Sequence, residues 1–135
     1  MTDFKKELIA KLEAAIPELR DKIQAGAVDA ETPVPYAAYS TPEETPVRTI
    51  HGIAGYNTLF DLSVYHSKMS EVEKLKHQVI HALEGESVAD KRCYYKASEY
   101  GFYPDYNIHG YILTFKLYKN GKESNTGRGY YPLGG

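Results

Sequence analysis

The stretch YNTLFDLSVYHSKMSEVEKLKHQVIHALEG, Tyr56–Gly85, contains both kinds of periodicity from which a domain is built. Phe60, Leu62 and Val64 recur every second residue. Leu59, Asp61, Ser63 and Tyr65 fall between them. That alternation predicts a strand with a core face and a wetter face. From Ser70 the period changes. Val72, Leu75, Val79, Ala82 and Leu83 form one helical stripe. Ser70 is placed to cap this helix, with Glu73 three residues on to complete a capping box. Gly85 stands where a helix ends in left-handed geometry.

Outward from this unit, Phe4, Leu8, Leu12, Ile16, Leu19 and Ile23 make a second helical face. Pro17 removes a hydrogen bond from a helix interior. The first helix therefore ends near Ala15, with a short turn from Pro17 to about Lys22. The segment after it, with Gly26, Pro33 and Pro35, reads as an extended connection. Tyr36–Ser40 reads as a short strand. Thr41–Gly55 is too polar at its start to be core and reads as a projecting loop, with VRTIHGI as a possible returning strand. Cys93–Tyr100 and Tyr111–Tyr118 are further strands. In the second, Tyr111, Leu113, Phe115 and Leu117 share a face. Asn120-Gly121 is a hairpin turn signal. There is no internal repeat and no interdomain linker. The expectation is one α+β domain over residues 1–126, a two-layer fold with two helices on one face of a mainly antiparallel sheet. Residues 127–135 are expected to form a flexible C-terminal tail.

Composition narrows the chemistry. A chain of 135 residues buries enough surface to fold without a disulfide or a metal. Its single cysteine, Cys93, excludes an internal disulfide. The formal charge of −2, with acids and bases interspersed, gives no basic face for nucleic acid. No segment reads as a signal peptide or a membrane span. Tyrosine is abundant, 13 residues with no tryptophan, which suits half-buried sheet faces and protein interfaces.

Two constellations offer chemistry. His77 and His81 lie one turn apart on the second helix, the spacing of a zinc-binding pair. With Val72 as origin they sit at about 140° and 180° from the buried stripe, on the outer face. The glutamate that follows the first histidine in zinc proteases is missing. A solvated helix face is the reading preferred, with a metal site as the alternative. Tyr94–Tyr106 is the densest aromatic run and offers stacking surface for a ligand or for bases. Only Lys96 accompanies it as a cation, so packing in the sheet and against a neighbouring subunit is preferred. Cys93, with no motif around it, is expected to be a buried thiol. His51, His66 and His109 stand at loop or strand-end positions.

The order of elements resembles the small phage tail completion, or tail terminator, proteins. The resemblance covers roughly Leu8 to Lys119. It rests on the leucine-bearing first helix, the strand Pro35-Tyr36-Ala37-Ala38-Tyr39 and the long polar loop. It rests also on Leu59–Tyr65, the helix ending Ala82-Leu83-Glu84-Gly85 and the final strand Ile112–Tyr118. Tyr65-His66 stands where the family often has tryptophan and a small residue, and the extension Lys119–Gly135 is longer than usual. The resemblance implies a non-enzymatic structural protein without cofactor that forms a homo-oligomeric ring, usually a hexamer. The ring would end the tail tube and join it to the head completion or connector protein. It would be found in the bacterial host cytoplasm during assembly and then in the virion tail, with no membrane and no nucleic acid as partner. The interface residues expected are Glu43, Glu44, Arg48 and His51 in the loop, Tyr65 on the strand, and Arg128, Tyr130 and Tyr131 in the tail. Thr41–Gly55 and Arg128–Tyr131 are the segments expected to change order on assembly.

Overall fold

The alternating stretch becomes the longest strand of the structure, a computed structural model that describes residues 4–26 and 33–118. In chain order the elements are α1 (Phe4–Ala15), a 3₁₀ turn (Pro17–Leu19), β1 (Ile23–Ala25), β2 (Tyr36–Tyr39), β3 (Glu43–Thr49) and β4 (Gly52–His66). Then come α2 (Met69–Leu83), β5 (Ser87–Val88), β6 (Lys91–Tyr103) and β7 (Ile108–Tyr118). Among the described residues these strands make one seven-stranded sheet in the order β1-β2-β4-β7-β6-β5, with β3 paired to β4. Every pairing is antiparallel except β1 with β2.

Alternation along β4 decides the layers. Phe60, Leu62 and Val64 are buried opposite Phe115, Leu113 and Tyr111 of β7. The two helices cover this face. Leu8 and Leu12 of α1 and Val72, Leu75, Val79 and Leu83 of α2 are buried against it. Each such side chain contributes about 1.5–3 kcal/mol by leaving water. Phe4 joins the aromatic end of the core, edge-on to Phe60 at 5.0 Å, and Phe60 stacks on Phe115 at 5.4 Å. Ile112, Thr114 and Lys116 point to the other face, which no helix covers among the described residues.

The end of α2 is tied to β6. Gly85 takes the expected left-handed conformation at φ +75°. Its N–H donates to the Cys93 carbonyl (2.7 Å) instead of to a helix carbonyl. Glu84 accepts the Tyr95 N–H (2.7 Å), and the Arg92 guanidinium donates to the Gly85 carbonyl (2.6 Å). A cation at that point also complements the negative end of the helix dipole. Cys93 is fully buried, and burial together with the nearby Glu84 pushes its thiol up to about 12.

Four expectations need correction. The projecting loop Thr41–Gly55 is regular structure. β3 runs antiparallel to β4 from Glu43↔Leu59 to Thr49↔Gly52, with a bulge between Val47 and Arg48. Polar side chains revealed that this segment leaves the core. They did not show that its backbone groups would pair with each other, as they must when no other partner is at hand. The helix starts at Met69 with Lys68 in the N-cap, which makes no side-chain cap bond, so the capping box at Ser70 and Glu73 does not form. Only Ser67 and Lys68 separate β4 from α2, and this short link moves the helix start ahead of Ser70. Two short strands went unpredicted, β1 and β5, since neither has enough residues to display a period. The strand expected at Cys93–Tyr100 continues to Tyr103 and forms a hairpin with β7. Asn120-Gly121 and the tail 127–135 lie outside the described residues.

Truncating the centre of this core tests the layer assignment. Leu113→Ala should lower unfolding free energy by about 2–5 kcal/mol in urea titration. Ile112→Ala, one residue along on the uncovered face, should change it by less than about 1 kcal/mol.

Candidate assembly interface

The arm formed by β3 and the first half of β4 is one of two candidate contact regions. Its inner end is fixed to the body. Thr58 is buried opposite Leu117. Lys91 reaches from β6 to its hydroxyl (3.4 Å) and to the Glu44 carboxylate (3.6 Å). Thr58↔Leu117 is the last β4–β7 pair, so Gly52–Asn57 are paired only with β3 among the described residues. The turn at the tip is held by Thr49, whose hydroxyl accepts the His51 N–H (3.1 Å) and donates to the Gly52 carbonyl (3.3 Å). Gly52 has φ +110°, a conformation that a side chain rarely adopts. Ile50 at the apex is 95% exposed, and Val47, Ile53 and Tyr56 are exposed along the arm.

The other region lies at the far end of the sheet, on the uncovered face. Tyr36 of β2 stands opposite Tyr65 of β4, with ring centroids 4.9 Å apart. Tyr103 of β6 continues the row at 6.0 Å from Tyr65. Between them runs β7, where the residue facing Tyr65 is Gly110. A Cβ at Gly110 would lie 2.8 Å from the Tyr65 ring, and one at Gly101 would lie 3.6 Å from the Tyr103 hydroxyl. Gly110 thus lets Tyr65 lie flat across a neighbouring strand. The result is a floor of three rings, on β2, β4 and β6, laid across β7. Burial raises the hydroxyls of Tyr36 and Tyr65 above the ordinary value of 10.0; Tyr65 and Tyr103 add to the shift at Tyr36, and Tyr103 adds to that at Tyr65 against a hydrogen bond with Ser63 that lowers it.

On the helix side of the same end, the Tyr100 hydroxyl lies 2.6 Å from His109 Nδ1, and Phe102 packs on the His109 ring at 4.7 Å. His109 stands opposite His66 in the β4–β7 pairing. Lys76 of α2 sits 4.6 Å over the Tyr111 ring. The aromatic run Tyr94–Tyr106 is therefore divided between two faces. Tyr94 and Tyr103 face the open side, while Tyr95, Tyr100 and Phe102 face the helix side. It does not form the single stacking platform that its density suggested.

The expected interface residues divide likewise. Arg48 and His51 lie at the exposed arm tip. Glu44 lies at the arm's base, paired with Lys91. Glu43 borders an open depression of about 260 Å³ beside Asp61. Asp61 is held there by its N–H to Ser40 Oγ (2.8 Å) and by the Thr114 hydroxyl (2.8 Å). Tyr65 is the centre of the ring floor, far from the arm tip. Arg128, Tyr130 and Tyr131 lie outside the described residues. His77 and His81 are exposed on α2, and no cluster of three or more His, Cys, Asp or Glu gathers among the described residues. The ring floor went unseen in the sequence because it joins residues from four strands. Gly101 and Gly110, placed within aromatic strands, were its only local signal.

The floor makes two measurable demands. Gly110→Ala should cost about 1–3 kcal/mol by forcing the Tyr65 ring off the sheet. Tyr36 and Tyr65 hold their protons more tightly in the folded chain than in the unfolded one. Their contribution is complete below about pH 10 and is lost as pH rises through their folded values. The urea midpoint should therefore fall as pH rises above about 10, and the fall should be smaller in Tyr65→Phe.

No protein-family model matches this chain, and no curated protein matches it in sequence. Solved structures do contain chains of similar fold. One belongs to the virion of a native gene transfer agent particle, with a TM-score of 0.61 over 83% of this chain and 90% of that one. The two are 12% identical in sequence, so the likeness is one of fold.

Proposed function

We propose that the protein is a non-enzymatic structural subunit of a phage or prophage tail. It assembles into a homo-oligomeric ring, a hexamer by the family resemblance, that ends the tail tube and receives the head completion or connector protein. The observation that carries this reading is the β3–β4 arm. A ribbon that exposes Val47, Ile50, Ile53 and Tyr56 together is poor design for a free monomer and good design for a subunit. The arm has no counterpart on the opposite edge of the sheet among the described residues, which suits heterologous contacts, and those close into rings when their rotation permits. The similarity in fold to a chain of a gene transfer agent virion supports the same reading. Arg48, His51 and Tyr65 belong to the contact surface on this reading, as do Arg128, Tyr130 and Tyr131 of the tail. Assembly takes place in the bacterial host cytoplasm, and the product resides in the virion tail.

Sedimentation and negative-stain microscopy test the proposal. The wild-type chain should form closed rings at micromolar concentration or on the ends of purified tail tubes. Ile50→Asp should shift the population toward monomer while leaving the unfolding free energy within about 0.5 kcal/mol of wild type, since the residue is 95% exposed in its own chain. A wild-type chain that stays monomeric at every concentration, with tubes present, would retire the ring.

A further inference from the structure

The arm and the tyrosine floor stand at opposite ends of the sheet. β4 joins them, with Gly52 at the arm tip and Tyr65 in the floor. At about 3.3 Å per residue the separation is up to roughly 45 Å, so one chain cannot bring its own two ends together.

Their chemistry is complementary. Between Thr45 and Thr58 the only Lys, Arg, Asp or Glu is Arg48, accompanied by His51. Between Ala97 and His109 there are two acids, Glu99 and Asp105, and no Lys or Arg. Glu99 lies on the open face, opposite Ile112 and two residues from Gly101. Asp105 lies in the β6–β7 turn. The tip offers exposed branched aliphatic side chains, Ile50 and Ile53. The floor offers fixed aromatic area, since Tyr65 is held between Tyr36 and Tyr103. A prearranged surface costs little entropy on docking, and tyrosine is among the residues that dominate contact energies.

The geometry points to a head-to-tail contact between copies of this chain, in which the β3–β4 tip of one copy seats Ile50 on the Tyr65–Tyr103 floor of the next and brings Arg48 to Asp105 at its edge. This inference rests on the ring reading and specifies which two surfaces join. A single subunit carries both halves of the contact, as a heterologous assembly requires. Charge reversal at either end disfavours it, and salt weakens its encounter.

A chain carrying both His51→Cys and Tyr106→Cys tests it with a short bismaleimide cross-linker. Both positions are exposed, and the native Cys93 is buried and unreactive. The contact predicts a ladder of covalent oligomers on a denaturing gel, ending at the number of subunits in a closed ring. Either single substitution alone should give no ladder. Adding Tyr103→Ala or Arg48→Glu should lower its yield by about tenfold. A double-cysteine chain that sediments as an oligomer yet gives no ladder would overturn this contact and leave the ring standing on other surfaces. A monomeric wild-type chain would remove both.

Discussion

The register between β4 and β7 is the constraint on which the molecule depends. Phe60, Leu62 and Val64 face the helices only because they stand opposite Phe115, Leu113 and Tyr111. A slip of β4 by one residue would turn Phe60, Leu62 and Val64 to the uncovered side and bring Asp61 to the face that the helices cover. The same register places Tyr65 over Gly110, the one position in that neighbourhood where a ring can lie flat. Core and tyrosine floor are thus two faces of one alignment.

That alignment also explains why the strand is long. β4 has 15 residues, and β7 accompanies it only from Thr58 to His66. The remainder is stabilised by β3 alone among the described residues, so its cohesion comes from the backbone ladder and cross-strand side-chain contacts. Few buried apolar groups hold it, and such ribbons belong to the less stable part of a fold. Lys91 joins the base of this arm to β6 through Thr58 and Glu44, at the boundary where core ends and ribbon begins. The surface pair adds little energy by itself.

At the other end of the sheet the side chains are aromatic on both faces. Tyr100, Phe102 and His109 pack together on the helix side, while Tyr65 and Tyr103 line the open face beside the buried Tyr36. A subunit with an aliphatic tip and an aromatic floor has direction. Direction is what separates a ring or a filament from a two-fold dimer.

The two helices, the strand Phe60–Val64 and the face shared by Tyr111, Leu113, Phe115 and Leu117 were legible in the sequence. Burial imposes a period on them, and a period can be counted along the chain. The stop at Gly85 and the buried Cys93 were legible for similarly local reasons. The hairpin nature of Thr41–Gly55 was not, because an exposed ribbon pairs its backbone without patterning its side chains. Nor were β1 and β5, too short to repeat anything. The division of Tyr94–Tyr106 between two faces depends on the bulge after Tyr95, which only the pairing with β7 discloses. The sequence by itself determined which residues leave water. Tertiary structure alone decided which exposed residues meet, since that follows from strand order and register, and contacts between distant segments leave no period in the chain.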